Sequence, residues 1–493
     1  MKLSELLKKC KTKFTCNNFR DLKILGVHTH SSQIKENYIF GAIQGEKFNG
    51  EKFVKKLTKL ENLVIIIPEI SKIKINFTKN KGFIIIKTGN VRKLISEISY
   101  FFYPSFLKEF IAITGTNGKT SIADYTRQIW NKKKIDCFSV GTLGIIHKNK
   151  KIYDSGLTTP ESVVLNKKIY ELSKKGCKNG VIEASSIGLH QNRLFPIKFD
   201  KLILTNFSID HLDYHKTITE YKKSKGILFE NHASKNTIAV LNSESKFIEY
   251  FTNICKRKKI RILDYGKKAN FLKIHEIKKI KSKCELTIII KKDKFKIILH
   301  CLSIFEIYNK ICALLCVFGE KLKKSDFKYL AMLKNPSGRL EKVKNKKKLN
   351  IFIDYAHTPD ALKNVLSSLK KNCEGKIITI IGCGGERDRT KRPLMTKEAL
   401  KYSHKIIITN DNPRNESPAK IREDMLKKVN KQEKKRIIEI PNRKRAIENS
   451  IKILTEKDFL IIAGKGHENY QIIKNKKLFF SDKKTVLGFI KEI

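Results

Sequence analysis

Residues able to handle a nucleoside triphosphate stand together at Gly115, Thr116, Asn117, Gly118, Lys119 and Thr120. The two glycines let the backbone turn and bring its N–H groups near an anion, the lysine supplies a point charge, and the threonine hydroxyl can reach a magnesium ion. Phe110, Ile111 and Ile113 precede the loop as a buried-strand run, and Ile122, Tyr125, Ile129 and Trp130 recur after it at helical spacing, which predicts strand, phosphate loop, helix. The loop is a shorter variant of the strict GxxxxGK[ST] pattern, which would need glycine where this chain has Ile113.

Further groups with chemical potential fall at predicted strand ends, where open α/β sheets bind ligands. Glu183 closes the run VIEAS and is followed by Ser185, Gln191 and Arg193; then come Asp210, His211, Asp213, His215 and Lys225. His211 and His215 have the i, i+4 spacing of zinc ligands, but no HExxH or cysteine set accompanies them and the nearby carboxylates suit magnesium better. Five later segments, SGRLE from Ser337, IDYAHTPDAL from Ile353, GCGGERDRTKRPLM from Gly382, NDNPRNESP from Asn410 and AGKGHENYQ from Ala463, gather glycine, charge and histidine. One such loop is an ordinary turn; five on one edge of a sheet argue for a polyanion or amino-acid site.

The elements that must position these groups read as α/β throughout. At 493 residues the chain is too long for one core, and three domains are expected: 1–107, a small α/β unit with strand runs YIFGAI, LVIIIPEI and GFIIIK; 108–334, the nucleotide unit; and 335–493. In the second, VIEAS, KLILTN and TIAVLN alternate with helical stretches, predicting a P-loop-like mononucleotide-binding parallel sheet, and ELTIIIKKDKFKIILH adds antiparallel strands turning at Lys291 to Lys294. From 335 the alternation predicts a Rossmann-like, doubly wound sheet with helices over 359–371, 391–403, 417–431 and 442–456.

Composition narrows the setting. With 41% hydrophobic and 31% charged residues the chain reads as globular, and no apolar run is long enough to span a bilayer. The segment MKLSELLKKCKTKF lacks the apolar core and cleavage site of a signal peptide, and the 11 cysteines form no CxxC pair, so a cytoplasmic protein with free thiols is expected. The formal net charge of +55 is mostly lysine spread evenly along the chain beside abundant Ile and Asn, as an AT-rich coding bias produces. Aromatics do not interleave with the basic residues, so no nucleic-acid partner is expected, only a general pull on anionic small substrates.

The ordered set GTNGKT, TTP, SSIGLxQxR, DHLDYH, DYAHTPD, GCGGxRD, DNPR and GKGHE resembles that of the Mur ligases of peptidoglycan synthesis, in the tripeptide-forming branch that adds meso-diaminopimelate. The resemblance covers nearly the whole chain, weakly over the first hundred residues. It implies ATP-dependent joining of meso-diaminopimelate to UDP-N-acetylmuramoyl-L-alanyl-D-glutamate through an acyl phosphate, by a cytoplasmic monomer that uses Mg2+. Its implied catalytic residues are Lys119, Glu183, His211 and Lys225, with Thr120, Glu183, His211 and a carbamylated Lys225 as metal ligands. ATP would meet residues 115–120, Asn309, Arg339 and Asp354. The muramoyl dipeptide would meet Ser31, Thr158, Thr159, Ser185, Gln191 and Arg193. Diaminopimelate would meet Arg387, Asp411, Asn412, Pro413, Arg414, Gly464 and Glu468. The chain departs from the family pattern at His30, Ser31 and Ser32, where DSR is usual, and at Ser303 and Glu306, where a GxFN stretch has glycine and asparagine.

Arg414 carries the expected choice of amino acid. Proline restrains its turn, and a guanidinium meets a carboxylate as a planar fork; lysine lacks that distal carboxylate. Two other enzymes of the superfamily, a folylpolyglutamate synthetase and a D-alanyl-D-alanine-adding ligase, are disfavoured by DNPR with GKGHE, and a basic nucleic-acid-dependent ATPase is the competing reading from another class.

Overall fold

The computed structural model describes residues 1–45, 49–57, 59–73, 82–280 and 283–492. Three sheets follow one another along the chain. The first has the order Thr15–Asn17, Ile84–Thr88, Val64–Pro68, Tyr38–Gly41, Gly26–His28, parallel except for the first strand. Its isoleucine-rich inner strands are covered on both faces, as parallel strands must be: helices Leu3–Lys8 and Val91–Phe102 pack on one side and Val54 and Leu57 on the other.

The second sheet has eleven strands. Its parallel centre runs Leu272–Ile280, Arg261–Gly266, Ala233–Asn242, Phe199–Leu204, Glu109–Thr114, Asn179–Glu183, Cys137–Gly141. Antiparallel strands extend both edges. On one side Lys283–Ile290 and Asp293–His300 pair Ile290 with Asp293, so the turn is tighter than 291–294, and Lys291 takes φ +56° to make it. On the other, Gly144–His147 and Lys150–Tyr153 form a hairpin that the sequence reading had not marked. Helices Lys119–Lys132 and Ile304–Phe318 cover one face, through Ile122, Ile129, Ile307 and Leu314. Helices Ser162–Lys174, Ile218–Asn231 and Ile248–Arg257 cover the other, through Leu165, Leu228 and Phe251.

The third sheet places Asn350–Asp354, Phe459–Ala463, Ile377–Ile381, Lys405–Ile408 and Ile437–Glu439 side by side and parallel, with Glu341–Lys342 antiparallel at one edge. It is doubly wound: helices Pro359–Lys370, Lys391–Tyr402 and Pro418–Leu426 pack on one face, and Arg443–Lys452 with Asp482–Glu492 on the other. The helix expected over 417–431 stops at Leu426. Asn430 caps a separate short helix, Lys431–Lys434, accepting the Glu433 N–H at 2.8 Å while Glu433 bonds back to the Asn430 N–H, and this reciprocal cap restarts the chain direction. The helix expected to 456 ends at Lys452, because Asp458 draws the Thr455 N–H and hydroxyl into a turn. A second hairpin, Tyr470–Ile473 with Lys476–Phe479, follows the last strand.

The sheets are fastened to one another near the phosphate loop. Asn166 bonds Ser99 at 2.8 Å and Glu161 pairs with Arg92 at 3.3 Å, joining the first sheet's long helix to the second sheet. Tyr125 meets Asn335 at 2.5 Å and Gln128 brackets Lys334, so the chain leaves the second sheet against the helix that follows the loop. All 11 cysteines are unpaired thiols. No helix among the described residues is long and apolar enough to cross a membrane.

Candidate active site

Strand Glu109–Thr114 ends in Gly115 at φ +146° and Gly118 at φ +87°, and helix Lys119–Lys132 starts directly after. Side chains are excluded at both glycines: a Cβ on Gly115 would stand 1.9 Å from the Thr205 hydroxyl, and one on Gly118 2.6 Å from Asn309 Oδ1. Neighbouring strand ends hold the loop, through Asn206 Oδ1 on the Asn117 N–H at 2.9 Å and Thr116 on the Ser208 carbonyl at 3.0 Å.

Two ammonium groups converge on one carbonyl. Lys119 Nζ donates to Gly115 O at 2.7 Å and Lys225 Nζ donates to the same oxygen at 2.9 Å. Lys225 is 1% exposed and lies 4.4 Å from the centre of the Tyr221 ring. Burial, then the charge of Lys119, pulls its ammonium well below the usual lysine range, with Asp210 acting the other way. Burial lowers Lys119 too, against the pull of Glu183 and Asp210. Asp210 is held down to about 2: burial opposes this, but His211, His357 and Lys391 outweigh it.

Glu183, 1% exposed, lies beside the loop. It accepts the Thr120 hydroxyl at 3.0 Å, the Thr142 hydroxyl at 3.1 Å and the Thr142 N–H at 2.9 Å. His211, at φ +54°, has its ring 3.5 Å from Asp210 and near the charges of Lys225 and Lys119, and burial lowers its pKa. His215 does not join it. Its ring nitrogens meet the hydroxyls of Ser186 at 3.0 Å and Ser224 at 3.2 Å, so the i, i+4 pair makes no zinc site and His215 serves the core. Among the described residues the one group of His, Cys, Asp and Glu with metal-ligand spacing is Asp136, His147 and Cys177, at the far end of the strands, where Asp136 and His147 already hydrogen-bond at 2.7 Å.

The residues expected to hold an acidic acceptor substrate form one network. Thr158 touches Thr142 at 3.2 Å; Thr159 donates to the Glu183 carbonyl at 2.7 Å and meets Ser185 at 2.9 Å. Arg193 clasps Gln191 Oε1 with two nitrogens and donates to the Thr159 carbonyl at 2.7 Å. Glu161 pairs with both Arg193, at 3.0 Å, and Arg92 of the first sheet's helix. Ser31 opens a short 3₁₀ turn, Ser31–Gln33, after strand Gly26–His28.

The third sheet closes over the loop. Arg339 stacks 4.5 Å from the Tyr355 ring centre and donates to Thr120 Oγ1 at 3.1 Å; Arg387 approaches Asp213 at 3.8 Å. A cavity of about 710 Å³ lies between the sheets, lined by Asn117, Gly118, Asn309, Arg339, Asp354 and His357. Burial raises the pKa of Asp354, against Arg339 and the N–H groups of Leu340 and Ala356. The departures Ser303 and Glu306 find structural work here. Ser303 caps helix Ile304–Phe318, and Glu306 pairs with Lys310 at 2.8 Å, both buried.

Beyond Arg339 lies the last group. Asp411 accepts the Asn412 N–H at 2.7 Å and sits 2.9 Å from where a Cβ on Gly464 would be. Pro413 precedes Arg414, which adopts φ +53° because its N–H donates to Ile472 O at 3.0 Å and its carbonyl accepts from Lys474 at 2.7 Å. The Arg414 guanidinium donates to Gly385 O at 2.8 Å, and burial with the nearby Arg387 charge lowers its pKa. Glu468 accepts from Asn412 Nδ2 at 2.9 Å. Sequence reasoning had not singled out Thr142, Glu161, Lys465 or His467. His467 sits 5.4 Å from the Tyr355 ring, and burial with Arg339 and Lys151 lowers its pKa to about 4 despite its bond to the Thr142 carbonyl. Lys465 and His467 lie inside GKGHE and were visible as residue types; the folding that brings Asn412 to Lys465 and Thr142 to His467 was not.

Residues 113–317 match the Mur ligase middle domain and 338–466 the Mur ligase glutamate ligase domain. The chain belongs to the Mur ligase family. It is 35% identical, over 94% of its length and 93% of the relative's, to the UDP-N-acetylmuramoyl-L-alanyl-D-glutamate--2,6-diaminopimelate ligase of Aquifex aeolicus (strain VF5). It is 33% identical over the whole of both chains to the protein of that name from Clostridium tetani (strain Massachusetts / E88). A solved ligase of the same name shares 27% identity and a TM-score of 0.64 over 95% of each chain. The MurF ligase of Thermotoga maritima in complex with ADP shares the fold at 16% identity and a TM-score of 0.61, covering 96% of this chain and 99% of that one.

Proposed function

We propose that this ligase joins meso-diaminopimelate to UDP-N-acetylmuramoyl-L-alanyl-D-glutamate at the expense of ATP, as a cytoplasmic monomer without nucleic-acid partners, built from domains 1–107, 108–334 and 335–493. The observation that supports the reading is Arg339 donating to Thr120 at 3.1 Å, a contact that brings the third sheet's unit against the phosphate loop. Phosphates meet the N–H groups that open helix Lys119–Lys132, with Lys119 and Arg339 neutralising charge, and the purine fills the cavity at Asn309 and Asp354. The substrate carboxylate attacks the γ-phosphorus, giving ADP and an acyl phosphate. The diaminopimelate amine then attacks the acyl carbon, the bond to phosphate breaks, and the amine proton passes to solvent. Closure by the third sheet keeps water from the acyl phosphate.

Thr120 and Glu183, hydrogen-bonded to each other beside the phosphate loop, and His211 would hold Mg2+ through oxygen and nitrogen, with a carbamate on Lys225 as a further oxygen ligand. Bound Mg2+ supplies charge neutralisation to the transferring phosphoryl group. Ser31, Thr158, Thr159, Ser185, Gln191 and Arg193 hold the muramoyl nucleotide. Arg387, Asp411, Asn412, Pro413, Arg414, Gly464 and Glu468 hold diaminopimelate, Arg414 taking its distal carboxylate.

Offering the wild type UDP-N-acetylmuramoyl dipeptide and ATP with meso-diaminopimelate, lysine or D-alanyl-D-alanine tests this by phosphate release and product mass. Preference for meso-diaminopimelate over lysine is expected at roughly 10⁴ or more, since lysine brings no distal carboxylate to the Arg414 guanidinium. Arg414→Ala should collapse that preference. Equal use of lysine by the wild type, or ATP turnover driven by DNA and not by the dipeptide, overturns the assignment.

A further inference from the structure

Lys465 is wholly buried, and a lysine charge survives burial only with partners that answer it. Its Nζ donates to Asn412 Oδ1 at 3.1 Å and to Glu468 Oε2 at 3.0 Å. The Ile472 N–H also donates to Asn412 Oδ1, at 2.9 Å. Two donors that cannot accept thus fix which end of the Asn412 amide is oxygen, and turn its nitrogen toward Glu468 Oε2 at 2.9 Å. The arrangement is closed: Asn412 Oδ1 and Glu468 Oε2 each take two bonds from the protein. What remains for a ligand is an N–H of Asn412 and the free oxygen, Oε1, of Glu468, one donor beside one acceptor.

We propose that Lys465 is a positioning residue that lets the site read the configuration of the distal carbon of diaminopimelate; this rests on the reaction assigned above. That carbon carries an ammonium and a carboxylate. Reading its handedness takes fixed points for both, and Arg414 supplies the carboxylate's. Glu468 supplies the ammonium's, at a place set by Lys465. Without Lys465 the carboxylate keeps only its Asn412 bond and can rotate toward solvent, so the donor and acceptor no longer hold register. The fold has reason to survive the loss, because Asn412 Oδ1 keeps Ile472 and Glu468 Oε2 keeps Asn412.

Lys465→Met and Lys465→Gln test the inference by steady-state kinetics with meso- and LL-diaminopimelate, beside trapping of the acyl phosphate by hydroxylamine without any amino acid. The KM for meso-diaminopimelate should rise about 10- to 100-fold, as for loss of a charge-assisted hydrogen bond, and the preference for meso over LL should narrow. The KM for ATP and the hydroxamate rate should stay within about twofold. Combining Lys465→Met with Glu468→Gln should cost less than the two single losses together, because one network is removed twice. Unchanged KM and isomer preference in folded variants overturns the inference, as does an equal loss in hydroxamate formation, or failure of both variants to fold. A wild type that traps no hydroxamate overturns the reaction assigned above and this inference with it. A wild type that traps it beside variants that leave diaminopimelate use unchanged overturns this inference alone.

Discussion

At the scale of the residue, Lys225 presents a problem in charge that its proposed chemistry solves. It shares the Gly115 carbonyl with Lys119, and burial favours its neutral amine. A neutral amine is the form that attacks carbon dioxide, and the product carbamate replaces a cation repelled by Lys119 with an anion attracted to it. Lys225→Ala should lose most activity while still binding ATP, and formate or acetate at high concentration should restore part of it by occupying the vacated oxygen position. The check is turnover with and without added carboxylate; near-normal turnover of Lys225→Ala would end the carbamate reading. Arg414 shows the same economy of placement. Its left-handed backbone is held from both sides by residues of the last hairpin, so the guanidinium is aimed by chain segments about 60 positions away.

At the scale of the element, helix Ile304–Phe318 carries the buried pair Glu306 and Lys310, with Glu306 lining the cavity between the sheets. Lys310→Met strands a buried carboxylate and should cost about 3–5 kcal/mol, whereas Glu306→Gln with Lys310→Met removes both charges and should cost much less. Denaturant melts of the single and double variants decide this; equal losses would mean that the pair is not coupled. Such an i, i+4 pair is legible in a sequence, as was the phosphate loop, because all its parts lie within one turn or one strand-to-helix junction. The alternation of the third sheet was legible for the same reason. The helix break at Asn430 turned on a capping box that was present as residues but competed with a run of good helix formers. The hairpin Gly144–His147 with Lys150–Tyr153 was hidden because His147 and Lys150 to Lys151 interrupt its apolar pattern. His467 reaches the Thr142 backbone only when the third sheet docks on the second, and Thr142 and Lys465 meet Glu183 and Asn412 across distant stretches of chain, pairings that no local pattern encodes.

At the scale of the whole molecule, acid should act through histidine. His215, His232, His357 and His467 are each pushed down to about 4, burial being the first cause in every case. An unfolded histidine titrates near 6.5, so between about 6.5 and 4 the unfolded chain binds more protons and stability falls as pH falls. Asp210 acts in the same sense in a lower window: held at about 2, it adds stability above its unfolded value that is lost as pH drops toward 2. Calorimetry should show Tm descending from neutral pH toward pH 5, and a flat profile would contradict the buried neutral rings. The buried arginines hold a different kind of record. The chain has 88 lysines and only 15 arginines. Yet Arg392, Arg443, Arg193, Arg127 and Arg422 are buried in ion pairs, with Arg392 spanning Asp424 and Glu416 and Arg443 meeting both oxygens of Asp482. A single ammonium cannot reproduce a two-pronged contact. If nucleotide drift has been turning arginine codons into lysine codons, it has worked as an unplanned mutagenesis of the entire gene, and the buried forks of Arg392 and Arg443 stand where a lysine could supply the charge but not the second prong.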